Sequence, residues 1–172
     1  MDYQVINQRL TAIKNKLFRV ALTMLKNEEE AKDAVQDTYL KIWSQKEKLN
    51  ELEMPEAFAM RMLKNLCIDR LRVNQKRRMV NMEEQTDLSE NITPFQTVSF
   101  DNLKDLMIKL FQTLPDQQRM VIHLRDIEHC TYEEIQEVTG LTINNIRVVL
   151  SRARKSVRAN YQKIKNYENR GN

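Results

Sequence analysis

The chain has 172 residues, with 28 Lys and Arg against 24 Asp and Glu, a net charge of +4, two Gly and three Pro. Average usage would supply about 12 Gly and about 9 Pro, and sandwiches or barrels need such residues at their many turns, so composition argues against a β-rich fold. With 41% hydrophobic and 30% charged residues, it predicts narrow helices with one buried stripe each, hence an all-α protein.

In chain order, Leu17, Ala21, Met24 and Leu25 share one face of a first long helix ending near Asn27. Asn27 with Glu30 three residues on is a capping-box pattern, and further acids lie where the helix dipole favours them. The second helix is expected to bury Ala31, Ala34, Val35, Thr38, Tyr39 and Ile42, leaving Asp33, Gln36, Asp37, Leu40 and Lys41 outside. Residues 28–37 hold five acids against Lys32, so that outer side is acidic. After a loop from Ser44 to Glu53, Pro55 opens a third helix with Phe58, Met62, Leu63, Leu66, Ile68 and Leu71 as its apolar set. Its other face carries Arg61, Lys64, Asn65, Arg70, Arg72, Lys76, Arg77 and Arg78, and residues 61–78 have a net charge of +6. Lys and Arg at this density suit a phosphate backbone, and Asn offers a paired donor and acceptor to a base edge. A soluble basic helix end is the plainer explanation of the same block.

Residues 79–101 lose the helical period, hold five acids and no base, and include Pro94. They read as a flexible acidic linker between a first domain at 1–78 and a second at 102–172. Beyond it, Leu103, Leu106, Met107 and Leu110 form a short amphipathic helix closed before Pro115, and Pro115 starts another with Met120, Val121, Leu124 and Ile127 inward. Thr131 to Glu134 is a capping box opening a short helix with Ile135 and Val138 buried. Gly140 breaks that helix, and Thr142 caps the last, which buries Ile146, Val149, Leu150 and Ala153.

A short helix, a Gly turn and a second helix in a block of net +7 (141–170) have helix-turn-helix spacing. The second helix of such a unit lies in the major groove with its N-terminal side chains at base edges. Those positions are Asn144, Asn145, Arg147, Val148 and Ser151, with Thr142 at the cap and Arg152, Arg154 and Lys155 continuing toward phosphates.

Cys67, Cys130, His123 and His129 form no metal or catalytic spacing, so no metal, cofactor, small-molecule substrate or enzymatic activity is expected. The thiols read as buried in a reducing compartment. Charges interrupt the N-terminal segment, and nowhere does an apolar run span a membrane, so a cytoplasmic chain is expected.

Taken together, Glu29 to Asp37, Asn65 to Arg72, Leu114-Pro115, Thr131 to Ile135 and Leu150 to Arg154 resemble an extracytoplasmic-function (group IV) RNA polymerase sigma factor of the sigma-70 family, over about 20–160. The resemblance implies a promoter-specificity subunit. Asp33, Gln36, Asp37 and Leu40 would dock on the clamp of the polymerase largest subunit. Lys64, Asn65, Arg70, Arg72, Lys76 and Arg77 would melt and read the −10 element, while the Ser44–Glu53 loop helps hold a flipped base. The last helix would read the −35 element, the linker would thread near the RNA exit path, and an anti-sigma factor would regulate the chain. Phe58, Lys32, Gln136, Asn144-Asn145 and Val148-Val149 depart from the family pattern, and because the last two alter base-facing chemistry, the −35 sequence does not transfer from other members. Asp69 is expected to be structural, paired with a nearby Arg. A stand-alone helix-turn-helix repressor or activator, binding an operator as a dimer, is the competing reading; it would need neither the acidic helix nor the first basic block.

Overall fold

A computed structural model describes residues 3–45, 53–82 and 103–168. Seven α-helices and one π-helical turn, with no strand, make up the regular structure of the described residues, as the composition predicts. They form two helical domains, α1–α3 and α4–α7.

Helix α1 (Tyr3–Leu25) stops two residues before the expected end. Lys26 takes a left-handed φ of 55°, and its N–H closes the last turn on the Leu22 carbonyl at 2.9 Å. Asn27 then starts α2 (Glu28–Ser44), its side-chain oxygen accepting from the Glu30 N–H at 3.0 Å. The Glu30 carboxylate does not return to Asn27; it accepts from the Asn74 amide at 3.4 and 3.5 Å, tying α2 to α3. Ala31, Ala34, Val35, Thr38 and Ile42 are buried as the period predicts, and Tyr39 is half-buried against the same core.

Helix α3 (Pro55–Met82) departs most from expectation. Its fully buried side chains are Ala57, Ala59, Met60, Leu63 and Cys67, while Phe58, Met62, Leu66 and Ile68 are half-buried and Leu71 is exposed. The helix packs against α1 and α2 on one side and α6 on another, so its contacts wrap the cylinder instead of tracking one stripe. It also continues four residues into the segment expected as linker, with Met79 and Val80 exposed. The rest of that segment, 83–101, lies outside the described residues.

The second domain runs α4 (Leu103–Gln112), α5 (Asp116–Ile122), a π turn (His123–Ile127), α6 (Tyr132–Thr139) and α7 (Ile143–Glu168). Met120, Val121 and Leu124 are buried as expected, but Ile127 is 40% exposed. The wide turn, closed by the Glu128 N–H on the His123 carbonyl at 3.0 Å, adds a residue and rotates the downstream residues by about 100°. Glu128 enters the interior in place of Ile127, and His129 takes a positive φ of 55° to bring the chain back.

The two domains share one continuous apolar core. Leu17, Val20 and Leu63 from the first and Val121, Ile135 and Val138 from the second belong to it, all fully buried. Each such side chain contributes about 1.5–3 kcal/mol by leaving water. Leu106, Leu110 and Ile164 make a small satellite core between α4 and the C-terminal half of α7. Both thiols are buried and unbridged, and burial pushes Cys67 up to about 12 against the opposing pull of Arg70.

Candidate nucleic-acid interface

The helix-turn-helix unit assembles from its caps. The Thr131 hydroxyl accepts from the Glu134 N–H at 3.1 Å, and the Glu134 carboxylate accepts from the Thr131 N–H at 2.7 Å, a complete capping box. Gly140 ends α6 with a φ of 76°, where an L side chain would be strained, and its N–H meets the Gln136 carbonyl at 2.8 Å. Thr142 caps α7 by accepting from the Asn145 N–H at 3.3 Å. With Ile146, Leu150 and Ala153 turned into the core, Asn144, Asn145, Arg147, Val148, Ser151, Arg152 and Lys155 are exposed on the opposite side. Their amides and guanidiniums are groups that read base edges and neutralise phosphates.

Two arginines of this face are not bare. Arg154 makes a fork with Asp126, its Nε and Nη2 donating at 3.0 and 2.6 Å, which raises its pKa. The Arg147 guanidinium lies over the Tyr132 ring, 5.3 Å from the centroid, and Arg125 lies over the same ring at 4.6 Å. Arg125, Asp126 and Tyr132 carried no signal in the sequence, because the π turn puts the first two out of phase with the preceding helix.

The first basic face is more entangled with its own protein. Arg61 pairs with Glu137 of α6 at 2.7 Å and lies over the Phe58 ring. Lys64 is half-buried in the seam between the domains, and burial, aided by Arg61, lowers its pKa. A cavity of about 310 Å³ opens beside it, lined by Met24, Ile68 and Leu71 on one side and Arg119, Met120 and Leu141 on the other. Arg70 donates to Asp37 at 2.6 Å and to the Glu30 carbonyl at 3.4 Å. A residue read as facing DNA and one read as facing the polymerase thus touch each other. Arg72 is exposed and 3.9 Å from Asp69, the partner type expected for that acid. Asn65, Lys76 and Arg77 are exposed on the same helix. On α2, Asp33 and Gln36 are exposed, Asp37 is half-buried and Leu40 is 68% exposed. Of the Ser44–Glu53 loop, residues 46–52 lie outside the described residues.

The seam carries a buried polar cluster that sequence patterning did not reveal. Arg19 of α1 holds Glu128 through two bonds of 2.7 Å, with the Glu128 side chain only 2% exposed. His123 bridges Glu128 Oε1 at 3.2 Å and the Thr23 hydroxyl at 3.0 Å. Burial alone would raise the Glu128 carboxyl; the bonds from Arg19 and His123 outweigh it and hold the group at about 2. Among the described residues there is no cluster of His, Cys, Asp and Glu able to hold a metal, and no helix long and apolar enough to cross a membrane.

Two helical domains, one ending in a helix-turn-helix with an exposed amide-and-arginine face and the other carrying a second basic helix, define a DNA-binding protein of transcription. Residues 10–77 match the family described as Sigma-70 region 2, and residues 104–157 match Sigma-70, region 4. The chain is 30% identical over 150 residues to the RNA polymerase sigma factor SigV of Bacillus subtilis, covering 87% of this chain and 86% of that one. It is 23% identical over 156 residues to the ECF RNA polymerase sigma factor SigW of the same organism, covering 84% and 82% of the two chains. The structure superposes on the sigma factor RpoE of Bartonella quintana, solved in complex with the anti-sigma factor NepR. That match has a TM-score of 0.71 and 26% identity and covers 92% of this chain and 98% of that one.

The chain belongs to the sigma-70 family, and extracytoplasmic-function sigma factors are among the proteins it resembles. It is a sigma factor that directs promoter-specific transcription initiation, and the stand-alone operator-binding regulator is not favoured.

Proposed function

We propose that promoter recognition is divided between the two domains, with boundaries at 1–78 and 102–172 and the acidic linker at 79–101. The second domain reads the −35 element as duplex. Asn144, Asn145, Arg147, Val148 and Ser151 lie at base edges, and Thr142, Arg152, Arg154 and Lys155 lie toward the backbone. The first domain engages the −10 element through Lys64, Asn65, Arg70, Arg72, Lys76 and Arg77. It docks on the clamp of the polymerase largest subunit through Asp33, Gln36, Asp37 and Leu40.

The observation that carries this reading is the face of α7 opposite its buried stripe, where Asn144, Asn145, Arg147 and Arg152 stand exposed behind a capped turn. On α2, the 68% exposed Leu40 beside two exposed polar residues is an apolar anchor in a polar rim, as a protein partner requires. The chain works in the cytoplasm by binding, with no catalytic step or cofactor of its own. Its regulator is an anti-sigma factor, the class of partner in the RpoE complex.

The test is promoter-dependent run-off transcription with sigma-free core polymerase and a genomic promoter library. Stimulation from a discrete promoter set is the expected result; no stimulation at low or moderate salt removes the reading. Within it, Arg147→Ala should weaken −35 binding and leave core-polymerase association intact.

A further inference from the structure

Tyr132 opens α6 and is absent from the DNA-facing positions read from the sequence. Its ring nevertheless lies beneath two guanidiniums, Arg125 at 4.6 Å and Arg147 at 5.3 Å. The protein holds that ring in place before any DNA arrives. Arg125 is anchored from the preceding segment, its Nη1 donating to the Cys130 carbonyl at 2.6 Å. The capping box fixes the backbone on either side of Tyr132 at 3.1 and 2.7 Å. Arg147, by contrast, is an exposed side chain on α7 whose other contact is a long 3.5 Å bond to Asn144 Oδ1. A guanidinium over an aromatic face is attracted by the ring's negative quadrupole. The half-buried ring therefore selects, from the many rotamers of a free arginine, those that lie along α6.

We propose that Tyr132 is a positioning residue for −35 recognition: its ring pre-organises the Arg147 guanidinium at the groove-facing end of α7, so that less side-chain freedom is lost on meeting a base edge. The proposal rests on the reading of α7 as the −35 helix. It also assigns the turn before α6 a part in specificity, because Arg125, in that turn, shares the ring that orients Arg147.

The experiment uses holoenzyme assembled from the full chain and core polymerase. The probe is duplex DNA selected by the wild-type holoenzyme from a pool randomised across the −35 segment, with unselected duplex as control. Tyr132→Phe and Tyr132→Trp should keep selected-duplex affinity, because both retain the ring face. Tyr132→Leu should lose about two- to fivefold. A series of progressively fluorinated phenylalanines at position 132, which drains the ring face while keeping its shape, should lower affinity stepwise. In an Arg147→Ala background the same series should be level, and unselected duplex should bind equally throughout. A level fluorination series in the wild-type background, or an equal decline without Arg147, overturns the positioning role. If Arg147→Ala itself binds the selected duplex like wild type, the assignment of Arg147 to the −35 element fails first and the role of Tyr132 with it.

Discussion

On α3, Arg61 reaches Glu137, Arg70 reaches Asp37, and Lys64 stands half-buried in the seam. On α7, Arg147, Arg152 and Lys155 stand exposed, while Arg154 is forked onto Asp126. The two helices look alike as sequence, each a basic block with an apolar set, yet they offer different amounts of free charge. The difference lies in position. Helix α3 is wedged among α1, α2 and α6, and acids of α2 and α6 take up Arg70 and Arg61, leaving Lys76, Arg77 and Arg78 exposed toward its C-terminal end, whereas α7 presents its N-terminal turns to solvent behind the Gly140 turn. Net charge over a segment therefore counts cations that the fold has already neutralised, and exposure decides which remain for phosphate.

The largest effect that tests this contrast lies in the seam that encloses α3. Glu128→Gln should cost about 2 kcal/mol in urea unfolding, less than a fully buried pair because Arg19 is half exposed. The Glu128 carboxyl is held at about 2, below its unfolded value. Its contribution is therefore complete above about pH 4.3 and disappears as the pH falls toward 2. Stability of the wild type should fall more steeply than that of Glu128→Gln across that window; parallel curves would mean the clasp carries no weight.

Gly140→Ala should cost about 1–2 kcal/mol, since the left-handed φ of 76° strains any L side chain even though no neighbour lies within 4 Å of an added Cβ. Because α7 hangs from that turn, −35 affinity should fall with stability, and an unchanged unfolding midpoint would show that the turn can reset.

Asp37→Asn frees Arg70 and should cost about 0.5–1 kcal/mol, as expected for a part-exposed pair. Its sharper consequence is functional. Both core-polymerase association and promoter opening should change, because the two candidate surfaces meet at this bond. A loss confined to polymerase association would separate them again.

The smallest effects concern α7 itself. Arg152→Ala should flatten the salt dependence of duplex binding by about 0.9 in log–log slope, the weight of one phosphate contact. Asp126→Asn should steepen it by a similar amount, by releasing Arg154. Equal slopes for both variants and wild type, measured by fluorescence anisotropy across a salt series, would remove these arginines from the DNA interface.

Much of the local architecture was legible because its causes are local. The Thr131–Glu134 box, Gly140 and Thr142 punctuate the helix-turn-helix within a dozen residues, and the buried stripes of α2 and α7 keep to a single period. Helix α3 is less legible in the sequence, since Leu71 is exposed while Ala57 and Cys67 are buried. A helix packed on several sides has no single stripe to find. The π turn was invisible for a related reason: one extra residue shifts the phase, turning Ile127 out and Glu128 in.

By itself, then, the amino-acid sequence determined an all-helical chain, its helix-turn-helix and the residues that carry its family resemblance, because propensity, capping and periodicity act over a few residues. Only the tertiary structure decided that Arg19 would close on Glu128 across 109 residues, that Arg70 would commit its charge to Asp37, and that Arg147 would lie over Tyr132. Those pairings depend on which helix faces come together, and a charge in the sequence carries no record of the partner that burial will bring to it.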